Sequence, residues 1–179
     1  NYKTRSAIAD LTEAINLNPN YSAAYHRRGG MWRALSEYDK AIQDYNKMIQ
    51  LDPNNANAYS GRGVVWSDKE EYDKAIEDLT RVIQLKPRDA NAYSRRGTVW
   101  SDKKEYTKAI EDFTKAIQID PNWGFAHYYR GLAWSKSGDP DKAIEDLNFS
   151  IRINPKLSIA YQARGDVLSQ VGMYDHAIE

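Results

Sequence analysis

Apolar residues recur along this chain on two scales. Over short stretches they fall at i, i+3, i+4 and i+7, as in Tyr72, Ala75, Ile76, Leu79, Val82 and Ile83, which is the pattern of a helix with one buried stripe. Over longer stretches the whole pattern returns after 34 residues. Pro19, Pro53, Pro87, Pro121 and Pro155 keep that spacing, as do Gly29, Gly63, Gly97, Gly131 and Gly165. Trp32, Trp66, Trp100 and Trp134 follow it too, and so do Ala41, Ala75, Ala109, Ala143 and Ala177. A fixed period of this length is the signature of a solenoid, in which each unit buries its apolar face only by stacking on its neighbours.

The period predicts two helices per unit. Residues 1–21 fit only the second helix of a unit, with Ala7, Leu11 and Ala14 in register with Ala75, Leu79 and Val82. Full repeats are expected at 22–55, 56–89, 90–123 and 124–157, and an incomplete one at 158–179. In each, helix A runs from the start to about the fourteenth residue and helix B ends just before the proline; linkers this short imply antiparallel neighbours. The fourth copy opens helix B with Gly138-Asp139-Pro140, where Asp serves as N-cap and Pro occupies the first helical position. Because the register starts and stops inside repeats, the array is expected to belong to something longer.

The motif Tyr59-x2-Arg62-Gly63-x2-Trp66, Tyr72-x2-Ala75-x3-Leu79, Pro87 resembles the tetratricopeptide repeat (TPR) family over the whole chain. Two departures stand out. Arg precedes the glycine where a leucine is usual, and Trp and Tyr have exchanged their customary places. The resemblance implies an all-α fold, a right-handed TPR superhelix of antiparallel helix pairs with a concave groove, and a role in protein binding without naming the partner.

With each repeat numbered from Ser22, Ala56, Ala90, Gly124 and Ser158, positions 3, 4, 7, 8, 10, 11 and 14 of helix A share one arc. In the second repeat this arc includes Ala58, Tyr59, Gly63, Val65 and Trp66, so Tyr59 and Trp66 are expected in the core. Arg28, Arg62, Arg96, Arg130 and Arg164 lie in the same arc, and a guanidinium placed there needs an anion. Asp10, Asp44, Asp78, Asp112 and Asp146 lie in the apolar arc of helix B. An internal Asp–Arg ladder is therefore expected, preferentially from one helix B to the next helix A: Asp10–Arg28, Asp44–Arg62, Asp78–Arg96, Asp112–Arg130 and Asp146–Arg164. Pairing within a repeat, such as Arg62 with Asp78, is the alternative.

Composition narrows the function classes. The 25 basic and 25 acidic residues cancel, so no basic excess points to nucleic acid. Cysteine is absent, which removes disulfides and thiolate chemistry. No run approaches the roughly 18 apolar residues of a membrane span, so membrane insertion is not expected. Glu77-Asp78, Glu111-Asp112 and Glu145-Asp146 are not carboxylate dyads, since adjacent helix residues diverge by about 100°. His26, His127 and His176 belong to different repeats. Gly29-Gly30 lies inside a helix rather than after a strand, and the Asp52-Pro53-Asn54 and Asp120-Pro121-Asn122 turns lack further calcium ligands. No catalytic residue, metal or cofactor is expected, and the chain is read as non-enzymatic.

In the family resembled, positions 2, 5, 9, 12 and 13 of helix A line the groove. The expected peptide-binding residues here are Asn57, Ser60, Asn91, Ser94 and Thr98, which are polar, and Phe125, Tyr128, Leu132, Ile159 and Gln162, which form a largely apolar patch with Trp123 and Tyr129 near its edge. The carboxylate clamp of co-chaperone TPR proteins is not matched, because its positions hold His26, Gly30, Gly61, Asn91 and Arg95. The reading is a scaffold that holds a partner peptide or protein segment in its groove. Two alternatives remain open: the recruitment portion of a larger enzyme or secretion machine, or a module that self-associates through its unfinished terminal repeats.

Overall fold

The structure, a computed structural model, describes residues 2–172. Among the described residues there are ten α-helices and no strand: α1 (Tyr2–Leu17), α2 (Ser22–Ala34), α3 (Tyr38–Leu51), α4 (Ala56–Asp68), α5 (Tyr72–Leu85), α6 (Ala90–Asp102), α7 (Tyr106–Ile119), α8 (Gly124–Ser137), α9 (Pro140–Ile153) and α10 (Ser158–Gln170). They form two compact units, Asn1–Pro87 and Arg88–Glu179. The all-helical expectation holds. The segment from 173, which carries His176 and Ala177, lies outside the described residues.

Local chemistry explains where helices begin. The Asn55 side chain accepts from the amides of Asn57 and Ala58, Asp89 accepts from those of Asn91 and Ala92, and Asp139 accepts from that of Lys142. Each satisfies donors that a first helical turn leaves unpaired. Pro140 stands at the start of α9, as its fixed φ favours. After helix B, the side chains of Asn18, Asp52, Asp120 and Asn154 each accept from the amide two residues on, closing the turn as Asx residues do.

In the first unit the core gathers Ala24, Tyr25, Ala41, Ile42, Tyr45, Met48, Ala58 and Val65, with Trp32 and Trp66 packed against it and partly buried. Tyr59 is likewise partly buried. In the second unit Ala109, Ile110, Phe113 and Ala133 form one cluster, and Ala143, Leu147, Ala163 and Val167 form another. Burying each large side chain contributes about 1.5–3 kcal/mol. Small residues let the helices approach closely. A Cβ at Gly131 would stand 3.1 Å from the carbonyl oxygen of Ala143, and one at Gly61 would overlap the Tyr45 ring, which is only 4% exposed and has nowhere to retreat. The tryptophans carry lysines on their faces: Lys40 on Trp32, Lys74 on Trp66, Lys108 on Trp100 and Lys142 on Trp134, at 4.4–4.6 Å from the ring centre. An ammonium so placed is attracted by the ring quadrupole and its stem covers apolar surface.

The turn between helices A and B always uses a left-handed residue. Ser36, Glu70 and Lys104 have φ of 58°, 61° and 64°, where Gly138 and Gly172 have 90° and 77°. A residue with a Cβ pays about 1–2 kcal/mol there, partly offset by the extra unfolded-state freedom of glycine. Lys104→Gly is therefore expected to raise stability by about 0.5 kcal/mol, read as a higher midpoint in urea, whereas Lys104→Ala gives no rise. Gly61→Ala is expected to lower the midpoint by the equivalent of about 1–3 kcal/mol; an unchanged midpoint would show that the Tyr45 ring moves aside freely.

Candidate protein-binding site

The surface available for binding is defined by what the interior holds fixed. In each complete repeat the helix A arginine meets the helix B aspartate sixteen residues later in a two-bonded fork. Nε and Nη2 donate to the two carboxylate oxygens at 3.0 and 2.6 Å for Arg28–Asp44, and at 2.8 and 2.6 Å for Arg62–Asp78. The distances are 2.8 and 2.8 Å for Arg96–Asp112, and 2.7 and 2.8 Å for Arg130–Asp146. The expected ladder is thus real as a set of pairs, but its preferred direction is corrected. It runs within repeats, not from helix B to the following helix A, and Asp10 is exposed. The cause is geometric. Antiparallel helices joined by a short turn bring these two positions level, and the planar guanidinium matches a carboxylate side-on.

The third nitrogen reaches backwards. Nη1 donates to Thr12 from Arg28 and to Thr114 from Arg130, each at 3.0 Å, to Asn148 from Arg164 at 2.7 Å, and to Asn46 from Arg62. These neutral acceptors on the preceding helix B were missed from sequence. Their signal is a short polar side chain recurring at one register position.

Electrostatics distinguish the forks. Hydrogen bonding to the partner carboxylates raises the pKa of Arg28, Arg62 and Arg96 further above its ordinary value. Burial pushes Asp78 above the ordinary carboxylate value, more than Arg62 pulls it down. Burial also pushes on Asp146, yet bonds from Arg130 and His127 prevail and hold it lower. His127, buried in the core as its register requires, places Nδ1 3.0 Å from Asp146 Oδ1 and Nε2 3.3 Å from the Pro121 carbonyl oxygen. Tyr25 and Tyr59 occupy the same register and donate their hydroxyls to the carbonyls of Pro19 and Pro53.

The outer faces of the helix A series differ between units. In the first unit, Asn57 is exposed and Ser60 half-buried. An ion pair between Arg33 on α2 and Asp68 on α4 spans that face, and His26 stands edge-on to Tyr45 at 6.0 Å. A hollow of about 400 Å³ in this unit borders Arg62, Asp78 and Arg81. Those three groups are already bonded to protein partners, so the larger hollow is a poor recognition site.

In the second unit the polar candidates are mostly committed. Asn91 accepts from Arg95, Thr98 donates to the Ser94 carbonyl at 3.1 Å, and Ser94 itself is 6% exposed. Ser94 was expected in the groove; a side chain this short is covered by its surroundings and offers nothing to a ligand. The apolar candidates converge instead. Tyr128 and Leu132 on α8 and Ile159 and Gln162 on α10 line one cleft of about 220 Å³. Ala163 and Val167 also line it, and Ser135, Lys136, Asp166 and Gln170 complete its walls. Phe125 is 42% exposed but is not part of the lining. Tyr129 stacks on Phe113 at 5.9 Å and meets Tyr128 edge-on at 5.1 Å, which fixes one wall. Among the described residues no three His, Asp or Glu side chains gather as a metal site, and no helix is long and apolar enough to cross a membrane.

Helix pairs in a fixed register and an interior locked by forks define a helical repeat protein. A TPR repeat model matches residues 31–66, and the tetratricopeptide repeat model matches 56–89 and 90–122. MamA, in its crystal structure, is 31% identical, with a TM-score of 0.75 over 84% of this chain and 88% of that one. The chain therefore belongs to the tetratricopeptide repeat family, whose members are in general protein-binding scaffolds rather than enzymes. YrrB, described as a TPR protein with an unusual peptide-binding site, shares the fold at 22% identity and a TM-score of 0.71, over 93% of this chain and 86% of that one. A tetratricopeptide repeat protein from Parabacteroides merdae reaches a TM-score of 0.84 at 21% identity, over 98% of this chain and 70% of that one. No curated protein matches the sequence.

The unequal forks carry a pH signature. A carboxylate held below its ordinary value of 3.8 stabilises the fold fully above that value and loses its contribution as pH falls through the lowered one. A raised carboxylate does the reverse, since ionising it on the way up costs the folded state. Asp146→Asn is therefore expected to cost about 2 kcal/mol near neutrality and progressively less as pH falls below 3.8, by urea unfolding across that range. Asp78→Asn shows no such growth with pH; parallel profiles for the two variants would contradict the assignment.

Proposed function

We propose that this chain is a non-enzymatic scaffold that binds a segment of a partner protein in the cleft between α8 and α10. One observation carries the reading: Tyr128, Leu132, Ile159 and Gln162, from two helices of successive repeats, face a common open space. Apolar and aromatic side chains left accessible on a rigid frame are the usual anchors of an interface. The frame is preformed, so the cost of ordering falls mainly on the ligand. Phe125 extends the apolar surface beside the cleft. YrrB, whose likeness is one of fold, is a TPR protein with an unusual peptide-binding site, so a chain of this fold can carry such a site.

Peptides selected from a random phage-displayed library on the intact chain test this. Their affinity is expected to fall more than fivefold in Tyr128→Ala and in Ile159→Ala, about 1 kcal/mol each, with helicity by circular dichroism unchanged. Selected peptides whose affinity is the same in both variants would remove the cleft from consideration.

A further inference from the structure

On the helix A face of the first unit, Arg33 and Asp68 satisfy each other. The cleft between α8 and α10 carries a cation and an anion, each at another register position. Here, Lys136 on α8 and Asp166 on α10 line one cleft, and neither has a hydrogen-bond or ion-pair partner among the described residues. A cation and an anion brought together over an apolar floor, and not spent on each other, are available to a ligand.

Their spacing says what that ligand carries. Gly124 lies against Ile153 and Gly131 against Ala143, so α8 and α9 are antiparallel. The short turn after α9 reverses the chain again, making α8 and α10 parallel. Their common register then sets Tyr128 level with Gln162, Leu132 with Asp166, and Lys136 with Gln170. Each level is one helical turn of four residues from the next, about 6 Å. An extended chain puts alternate side chains on one face, and those neighbours are about 6.6–6.8 Å apart. The two spacings coincide.

Resting on the proposed binding role of the cleft, we infer that its occupant is an extended protein segment whose inward side chains, at alternate positions, are apolar, basic and acidic. The apolar side chain sits between Tyr128 and Ile159. The basic one meets the Asp166 carboxylate a turn further on, and the acidic one meets the Lys136 ammonium at the polar end. The volume of about 220 Å³ is small beside the roughly 300–1,000 Å³ of small-molecule sites and suits one apolar side chain with a stretch of backbone. Gln162, Ser135 and Gln170 supply hydrogen-bonding groups along the walls for that backbone.

Acetylated Gly-Leu-Gly-Lys-Gly-Glu-Gly and its reversed sequence serve as probes, each compared with a counterpart in which Lys and Glu are exchanged. Binding is followed by amide shifts of the isotope-labelled intact chain. In one of the two directions the Leu-Lys-Glu order is expected to bind about tenfold more tightly than its exchanged counterpart, since two weak attractions become two repulsions. The difference shrinks with added salt. Lys136→Glu combined with Asp166→Lys reverses the preference. Equal affinity of both charge orders, with shifts still centred on Tyr128 and Ile159, would overturn the charge reading while leaving the apolar cleft as a binding site. Absence of any shift in α8 and α10 also overturns it, and the phage-selected peptides then decide separately whether the cleft binds anything.

Discussion

The architecture depends on a charge that must be neutralised where water is scarce. An arginine set among Gly, Ala and Val on the packing face of helix A is destabilising alone, since the hydrogen bonds of a partly buried charge contribute about 1.5–3 kcal/mol. Each complete repeat answers with an aspartate from its own helix B, held by two parallel bonds. For Arg28, Arg62 and Arg130 the remaining nitrogen is satisfied by a threonine or asparagine on the helix before. Apolar burial drives the helices together but is indifferent to register. The guanidinium is not, because it has one orientation in which all three contacts are made.

With the interior so constrained, differences between repeats collect at positions the fork does not touch. Tyr45 requires Gly61 opposite it, Phe113 stacks on Tyr129, and Leu147 clusters with Ala163. The last combination, with a small residue where Tyr129 stands one repeat earlier, leaves a depression beside Tyr128 and Ile159. The cleft is in this sense a by-product of side-chain size at one register position. Its polar rim is a separate matter, since Lys136 and Asp166 line it without a partner among the described residues.

Much of this was legible in the chain. The period placed helix A and helix B, and Asp139-Pro140 foretold the capped start of α9, while the left-handed residue before it emerged only from the backbone. The arginine's need for an anion followed from its neighbours. Which anion did not, because two aspartates lie within a helix spacing and only the turn geometry decides between them. On the surface, wheel projection identified Tyr128, Leu132, Ile159 and Gln162 but could not tell that Ser94 is covered or that Asn91 is held by Arg95. Projection assigns a direction to a side chain and is silent about its neighbours' heights. Ala163 and Val167 were passed over for the same reason: lining residues of a hollow look like ordinary packing residues until the facing wall is known.

The backward contact of the arginine has an implication for how such a chain can change length. Because Arg28, Arg62, Arg130 and Arg164 each lean on an acceptor contributed by the module before, a module duplicated or lost whole by recombination still brings such an arginine a compatible face. Loss or gain of a single codon inside a helix would rotate everything downstream by about 100° and part the guanidinium from both its acceptors. Inheritance in such a gene is therefore quantised, with growth by whole blocks tolerated and small frame-preserving slips eliminated.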